Sequence, residues 1–195
     1  MKTEPFSDML DRWRKEAGLE RPKNQVIDIM NVAPVYIGVD PAFRVGGFWA
    51  CILDMNDKTA AFKCFVDVLD FHDWLRSFEA PLSCFVCVEN SNLQNKSFDM
   101  SGKAVEVARK SRNAGCNMAV SELAYKSSLT RYGKDRAFQV SPKEKGNKWT
   151  TEQFGAVLKS DGVTIITTGD NQDCRDAYKL AGIARRMALV NGQFK

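Results

Sequence analysis

The chain is poor in the groups that most often do nucleophilic or metal chemistry through nitrogen and sulfur. Its 195 residues hold one histidine, His72, in "DFHDWL". A hydrolase built on a nucleophile and an imidazole base would need that residue beside a serine or cysteine elbow, and no such motif occurs. No glycine-rich loop ends in G-K-[ST]; "RVGG" after Phe43 is not a phosphate loop. No apolar run approaches the ~20 residues that span a bilayer, and "MKTEPFSDML" has no signal-peptide core. These gaps point to a soluble protein of the cytoplasm that uses no membrane and no small-molecule cofactor.

Six cysteines are present, but they do not form a zinc pattern. Cys84 and Cys87 have C-x-x-C spacing inside "CFVCV", which reads as a strand. A strand sends residues three apart to opposite faces. Buried free thiols in a reducing compartment are the expected state.

Apolar residues make up 44% of the chain, enough to rule out disorder by composition. The net charge is only +4 yet uneven: from Lys103 to Lys148 there are eleven Lys and Arg against four Asp and Glu. A basic middle between acidic ends suits a phosphate-binding surface beside a carboxylate site.

Periodicity divides the chain into an N-terminal arm, 1–33, and a domain, 34–195. The arm reads as an amphipathic helix over 5–18, with Phe6, Met9, Leu10, Trp13 and Ala17 on one stripe and a stop at Gly18. A connector punctuated by Pro22 and Pro34 follows. Strands are predicted at 35–40, 46–54 and 59–66, the last two as a hairpin across "DMNDKT". A helix over 67–78 offers Val68, Leu69, Trp74, Leu75 and Phe78 to one face. "LSCFVCVEN" reads as a strand buried on both sides. A long helix begins near Ala104, with Cys116, Val120 and Leu123 on a stripe. "AFQVSP" is a short fifth strand. "TTEQFGAVLK" is a helix opened by Thr150 or Thr151, and "DCRDAYKLAGIARRMALV" is the last helix, with Ala177, Leu180, Ala184, Met187 and Ala188 inward. The sum is a mixed α/β sheet with helices on its faces.

Four acids stand out against this apolar background. Asp40 ends the first strand, where Asp before Pro41 could equally start a turn. Glu89 ends the fourth. Parallel neighbouring strands would bring the two together at a ligand crevice. Asp173 and Asp176 share one face at the start of the last helix, where acids also favour the helix dipole. Carboxylates at contact distance repel unless a cation holds them, and a hard divalent ion prefers oxygen ligands. Three or four acids from two strand ends and one helix start make a candidate two-metal phosphodiester site.

At these residues the sequence resembles the ribonuclease H-like superfamily, and within it the RuvC-type Holliday junction resolvases, in a form more like a phage or mobile-element version, which implies the cytoplasm of a bacterium or a phage-infected host. The matching pieces are "YIGVDPA", "FVCVEN", "DCRDAYKLAGIA" and the basic "VSPKEKGNKWTTEQF". They span about residues 34 to 190. The resemblance implies a five-stranded mixed sheet, three antiparallel-connected strands then parallel ones, with helices on both faces. It implies a homodimer that nicks branched DNA with Mg²⁺ or Mn²⁺, two ions per site. Carried over by position, Asp40, Glu89, Asp173 and Asp176 would be metal ligands. Lys148 would act beside them, Lys143 and Lys145 would hold phosphate, and Arg109, Lys110, Arg112 and Lys126 would follow the DNA backbone. The family's aromatic soon after the Glu is missing: "ENSNLQNKSF" offers Leu93 and a later Phe98. A flap, a fork or an RNA–DNA hybrid therefore stand as alternative substrates, and a non-catalytic junction-binding protein as an alternative class. An actin-like ATPase shares the opening strand pair but needs two such domains.

Overall fold

A computed structural model describes residues 34–78, 84–94, 103–167 and 169–190. The arm helix expected at 5–18, its connector and Phe98 lie outside the described residues. The elements run β1 (Val35–Asp40), β2 (Phe48–Asp54), β3 (Thr59–Phe65), α1 (Val68–Ser77), β4 (Cys84–Glu89), a single 3₁₀ turn (Ser91–Leu93), α2 (Ala104–Tyr132), β5 (Ala137–Val140), α3 (Pro142–Lys145), α4 (Thr151–Asp161), β6 (Thr164–Ile165) and α5 (Gln172–Val190). They form an α/β protein around one mixed sheet in the order β5-β4-β1-β2-β3-β6. β1, β2 and β3 are antiparallel neighbours, whereas β4 lies parallel to β1 and β5 parallel to β4. Five strands were expected and six are present among the described residues: the two residues of β6 add to the β3 edge, pairing Thr59 with Thr164 and Ala60 with Ile165. Two residues are too few for any alternation to announce them.

Strand parity sorts the core into two layers. Val35, Ile37, Val39, Cys84, Val86 and Val88 point to one face, where Phe48, Phe65, Phe71, Trp74 and Phe78 pack with α1 and α2. Tyr36, Phe85 and Cys87 point to the other, under α4 and α5. Cys84 and Cys87 thus lie on opposite faces, and all six cysteines are free. By the same alternation Asp40 and Glu89 belong to the α5 face.

The α5 face is closed unusually tightly. A Cβ placed on Gly38 would sit 2.0 Å from the Ala177 carbonyl oxygen and 2.2 Å from the Ala181 nitrogen. The helix backbone therefore rests on the strand backbone, which only glycine below and alanines above permit. Ala177, Leu180, Ala184 and Ala188 are buried, as their spacing predicts, and Met187 packs at the edge.

Two helix faces differ from the sequence reading. In α1 the Asp67 carboxylate caps the first turn, accepting from Leu69 N and Asp70 N. That cap sets the phase so that Phe71 is buried and Leu69 is 69% exposed. In α2 the buried stripe is Ser121, Ala124, Ser128 and Tyr132, while Leu123 stands in solvent. Small residues there let α2 lie close to the sheet. Thr150 caps α4 in a reciprocal pair with Gln153, as one of the two expected starts.

Candidate functional site

The parallel register aligns Val39 with Val88, so the next residues, Asp40 and Glu89, leave adjacent strand ends side by side. α5 brings Asp176 over them, its placement fixed one residue later by Ala177 on Gly38. Asp40 and Asp176 are buried and Glu89 is nearly so.

A cation stands among these acids, and it comes from the chain itself. Lys145 Nζ lies 2.8 Å from Asp176 Oδ2 and 3.4 Å from Asp40 Oδ1, and pairs with Glu89 Oε2. Its side chain is 9% exposed. The turn that delivers it is sequence-encoded. Ser141 Oγ accepts from Glu144 N, Glu144 Oε2 accepts from Ser141 N, and Gly146 at φ 85° ends the turn. That one-turn helix swings Lys145 inward and leaves Lys143 and Lys148 on the surface.

The electrostatics follow from burial. Desolvation pushes the Asp40 carboxyl up to about 7; Lys145 works against the rise, and Glu89, Asp176 and Asp173 add to it. Burial pulls the Lys145 ammonium down, but Asp40 and Glu89, with Asp176, outweigh it and hold the group above its ordinary value.

Asp173 sits at the rim, three residues before Asp176, and takes a different partner. Arg44 Nη2 donates to its two oxygens at 2.5 and 2.6 Å. Arg44, Gln172, Lys179 and Asn90 were not singled out in the sequence. Gln172 Nε2 donates to Asp176 Oδ1 at 2.7 Å, four residues away on the helix, and so fixes that carboxylate's rotamer. Lys179, one turn further on, donates to the Asn147 carbonyl and lies 4.3 Å from the centre of the Trp149 ring. It ties the lysine-bearing loop to α5. Asn90, 1% exposed, donates to Glu122 Oε2 at 2.9 Å and Gln139 Oε1 at 2.8 Å, locking the end of β4 to α2 and β5. The signal for Gln172 and Lys179 was helical spacing from Asp176. Asn90 and Arg44 carried none beyond adjacency to an acid-ended strand.

The basic residues divide. Arg109, Lys110 and Arg112 are exposed on the first half of α2. Lys126, further along, is exposed and pairs with Glu122 at 3.4 Å. They form a solvated basic helix rather than part of the acid cluster.

The donor set suits a hard divalent ion: oxygen atoms of three acids, two buried and one half-buried, converge on one cationic position. Glu89 Oε2 is buried with no hydrogen-bond donor in good geometry, its contact being the ion pair with Lys145. As the side chains stand, no group of three or more His, Cys, Asp or Glu among the described residues is spaced to hold a metal ion, and the Lys145 ammonium occupies the position among the three acids. No helix among the described residues is long and apolar enough to cross a membrane. Comparison with protein-family models, with curated proteins and with solved structures gives no match.

Proposed function

We propose that the protein is a divalent-metal-dependent nuclease of ribonuclease H-like type, acting on branched DNA as a junction resolvase. The observation that carries this reading is the convergence of Asp40, Glu89 and Asp176, from two parallel strand ends and one helix start, on a single cationic position. A bound Mg²⁺ or Mn²⁺ would supply an activated water and neutralise charge on the phosphate. Asp40, Glu89 and Asp176 would hold the ion, and Asp173 at the rim is the fourth acid available. Gln172 keeps Asp176 oriented, and Asn90 keeps the Glu89 strand end in place. Lys143 and Lys148 stand exposed on the adjoining loop to take phosphate oxygens, and Arg109, Lys110 and Arg112 offer a basic track. A homodimer would place two such sites for paired cuts.

A second reading has its own observation. Lys145 already compensates the acids, so they need no metal to be tolerated. On that reading the cluster is a structural ion network in a protein that binds nucleic acid without cutting it.

A cleavage assay separates the two. A four-way junction, plain duplex, flap and RNA–DNA hybrid are each offered with Mg²⁺, Mn²⁺ or EDTA. The nuclease reading expects metal-dependent paired nicks in the junction. Asp40→Asn should lower cleavage by at least about a thousandfold while binding persists. Cleavage retained in that variant removes Asp40 from the site. Junction binding without any cleavage under every condition favours the structural network.

A further inference from the structure

The loop between β1 and β2 places Arg44 against the rim acid, and its surroundings restrict what can move. Phe43 N donates to Asn117 Oδ1 of α2 at 2.8 Å. Gly47 N closes a turn onto the Arg44 carbonyl at 3.1 Å, and Trp49 Nε1 donates to the Gly46 carbonyl at 2.8 Å. The backbone is thus held on both sides of Arg44, and Gly46 adopts φ 72° to make the turn. The Arg44 side chain, by contrast, is 68% exposed, and the Asp173 it reaches is 18% exposed. Its course runs over Gly47: a Cβ there would lie 2.5 Å from Arg44 Cγ and 2.6 Å from Nε. Among the described residues only Nη2 of the guanidinium is engaged, and both forked edges of the group, Nε with Nη2 and Nη1 with Nη2, share that nitrogen, so release from Asp173 frees a planar edge. That edge matches two oxygens of a phosphate.

Resting on the metal-site reading above, we propose that Arg44 couples metal occupancy to phosphate binding: in the metal-free protein it neutralises Asp173, and when a divalent cation takes Asp173 it transfers to a phosphodiester of the substrate. The exchange costs little because the contact is exposed and the loop backbone stays where it is. No bond forms or breaks; one counter-ion replaces another on Asp173, and a guanidinium moves to an anion. Arg44 is a positioning residue in this scheme, since it orders the strand beside the acids without touching the reacting atoms.

Two measurements without turnover test it. The first is Mn²⁺ affinity by electron paramagnetic resonance, with no nucleic acid present. Arg44→Ala removes a competitor and should tighten Mn²⁺ binding roughly two- to fivefold. The second is binding of a labelled four-way junction in Ca²⁺ against EDTA. Wild-type protein should bind tighter in Ca²⁺, and Arg44→Ala should lose about three- to tenfold of that affinity in Ca²⁺ only. Gly47→Ala, which keeps the charge but blocks its course, should reproduce both effects with unchanged melting. Wild-type Mn²⁺ binding with both variants unaltered overturns the Arg44 proposal and leaves the metal site intact. Gly47→Ala behaving as wild type overturns the course over Gly47. Absence of Mn²⁺ binding in the wild type overturns the metal reading, and this proposal with it.

Discussion

The two faces of the sheet are held by different physics. On one, five aromatic side chains interlock: Phe48, Phe65, Phe71, Trp74 and Phe78 stand with neighbouring ring centroids 4.7 to 5.9 Å apart. Such a layer gains from bulk, and its rings can shift to share a lost volume. On the other, α5 lies on β1 through Gly38, Ala177 and Ala181, with backbone against backbone. No side chain there can yield. The difference explains why the acids gather on the second face. A site that must hold three carboxylates around one cation needs fixed elements, and close backbone packing fixes them.

The sharpest way to break that contrast is to add one methyl group where backbone meets backbone and to remove part of a ring from the aromatic layer. Gly38→Ala should destabilise the fold by more than about 3 kcal/mol, because the new Cβ meets backbone that cannot move. Phe71→Leu, which removes more atoms, should cost less, about 1–2 kcal/mol, as the aromatic layer closes in. Urea unfolding of the two variants gives the order directly, and a larger loss for Phe71→Leu would reverse the roles assigned to the faces.

Lys145→Met comes next. Removing the cation leaves three largely desolvated carboxylates facing one another, which should cost about 3 kcal/mol in EDTA. Mn²⁺ should restore much of that stability, since it serves the same oxygens. Melting curves with and without Mn²⁺ check both halves, and a loss indifferent to metal would mark Lys145 as purely structural.

A smaller effect concerns pH. Burial lifts Asp40 from 3.8 to about 7, so the folded chain holds that proton more firmly than the unfolded chain does. The stabilisation is complete below the unfolded value and is lost as pH rises through about 7. Metal-free protein should therefore lose stability between pH 5 and 8, on the order of 1–3 kcal/mol, and Asp40→Asn should flatten that slope. An equal slope in the variant would mean another group carries it. The smallest effect is expected on the surface of the aromatic side, where Leu69→Ser should change stability by less than about 0.5 kcal/mol, because Leu69 is 69% exposed.

These faces were not equally legible in the sequence. The strands β1 and β4 announced themselves as apolar runs ending in acids, and their expected parallel pairing brought Asp40 and Glu89 together. The small residues of "DAYKLAGIA" announced tight packing, which Gly38 completes. Lys145 did not announce itself: "PKEKGNK" holds three lysines, and only the reciprocal Ser141–Glu144 cap decides which one turns inward. The sequence argument for a metal assumed that clustered acids lack a cation of their own, and Lys145 and Arg44 supply one to each end of the cluster. Leu69 and Leu123 were placed on the inner stripe by apolar helical spacing, while cap geometry and the close approach of α2 put Phe71 and Ala124 there instead.

The most direct test of the central claim is an anomalous-difference map from crystals soaked in Mn²⁺. The expected result is a peak among Asp40, Glu89 and Asp176, with the Lys145 ammonium moved out toward Lys143 and Lys148. Crystals that bind Mn²⁺ elsewhere or not at all, with Lys145 still among the three carboxylates, would contradict the metal site and leave the cluster as a structural ion network.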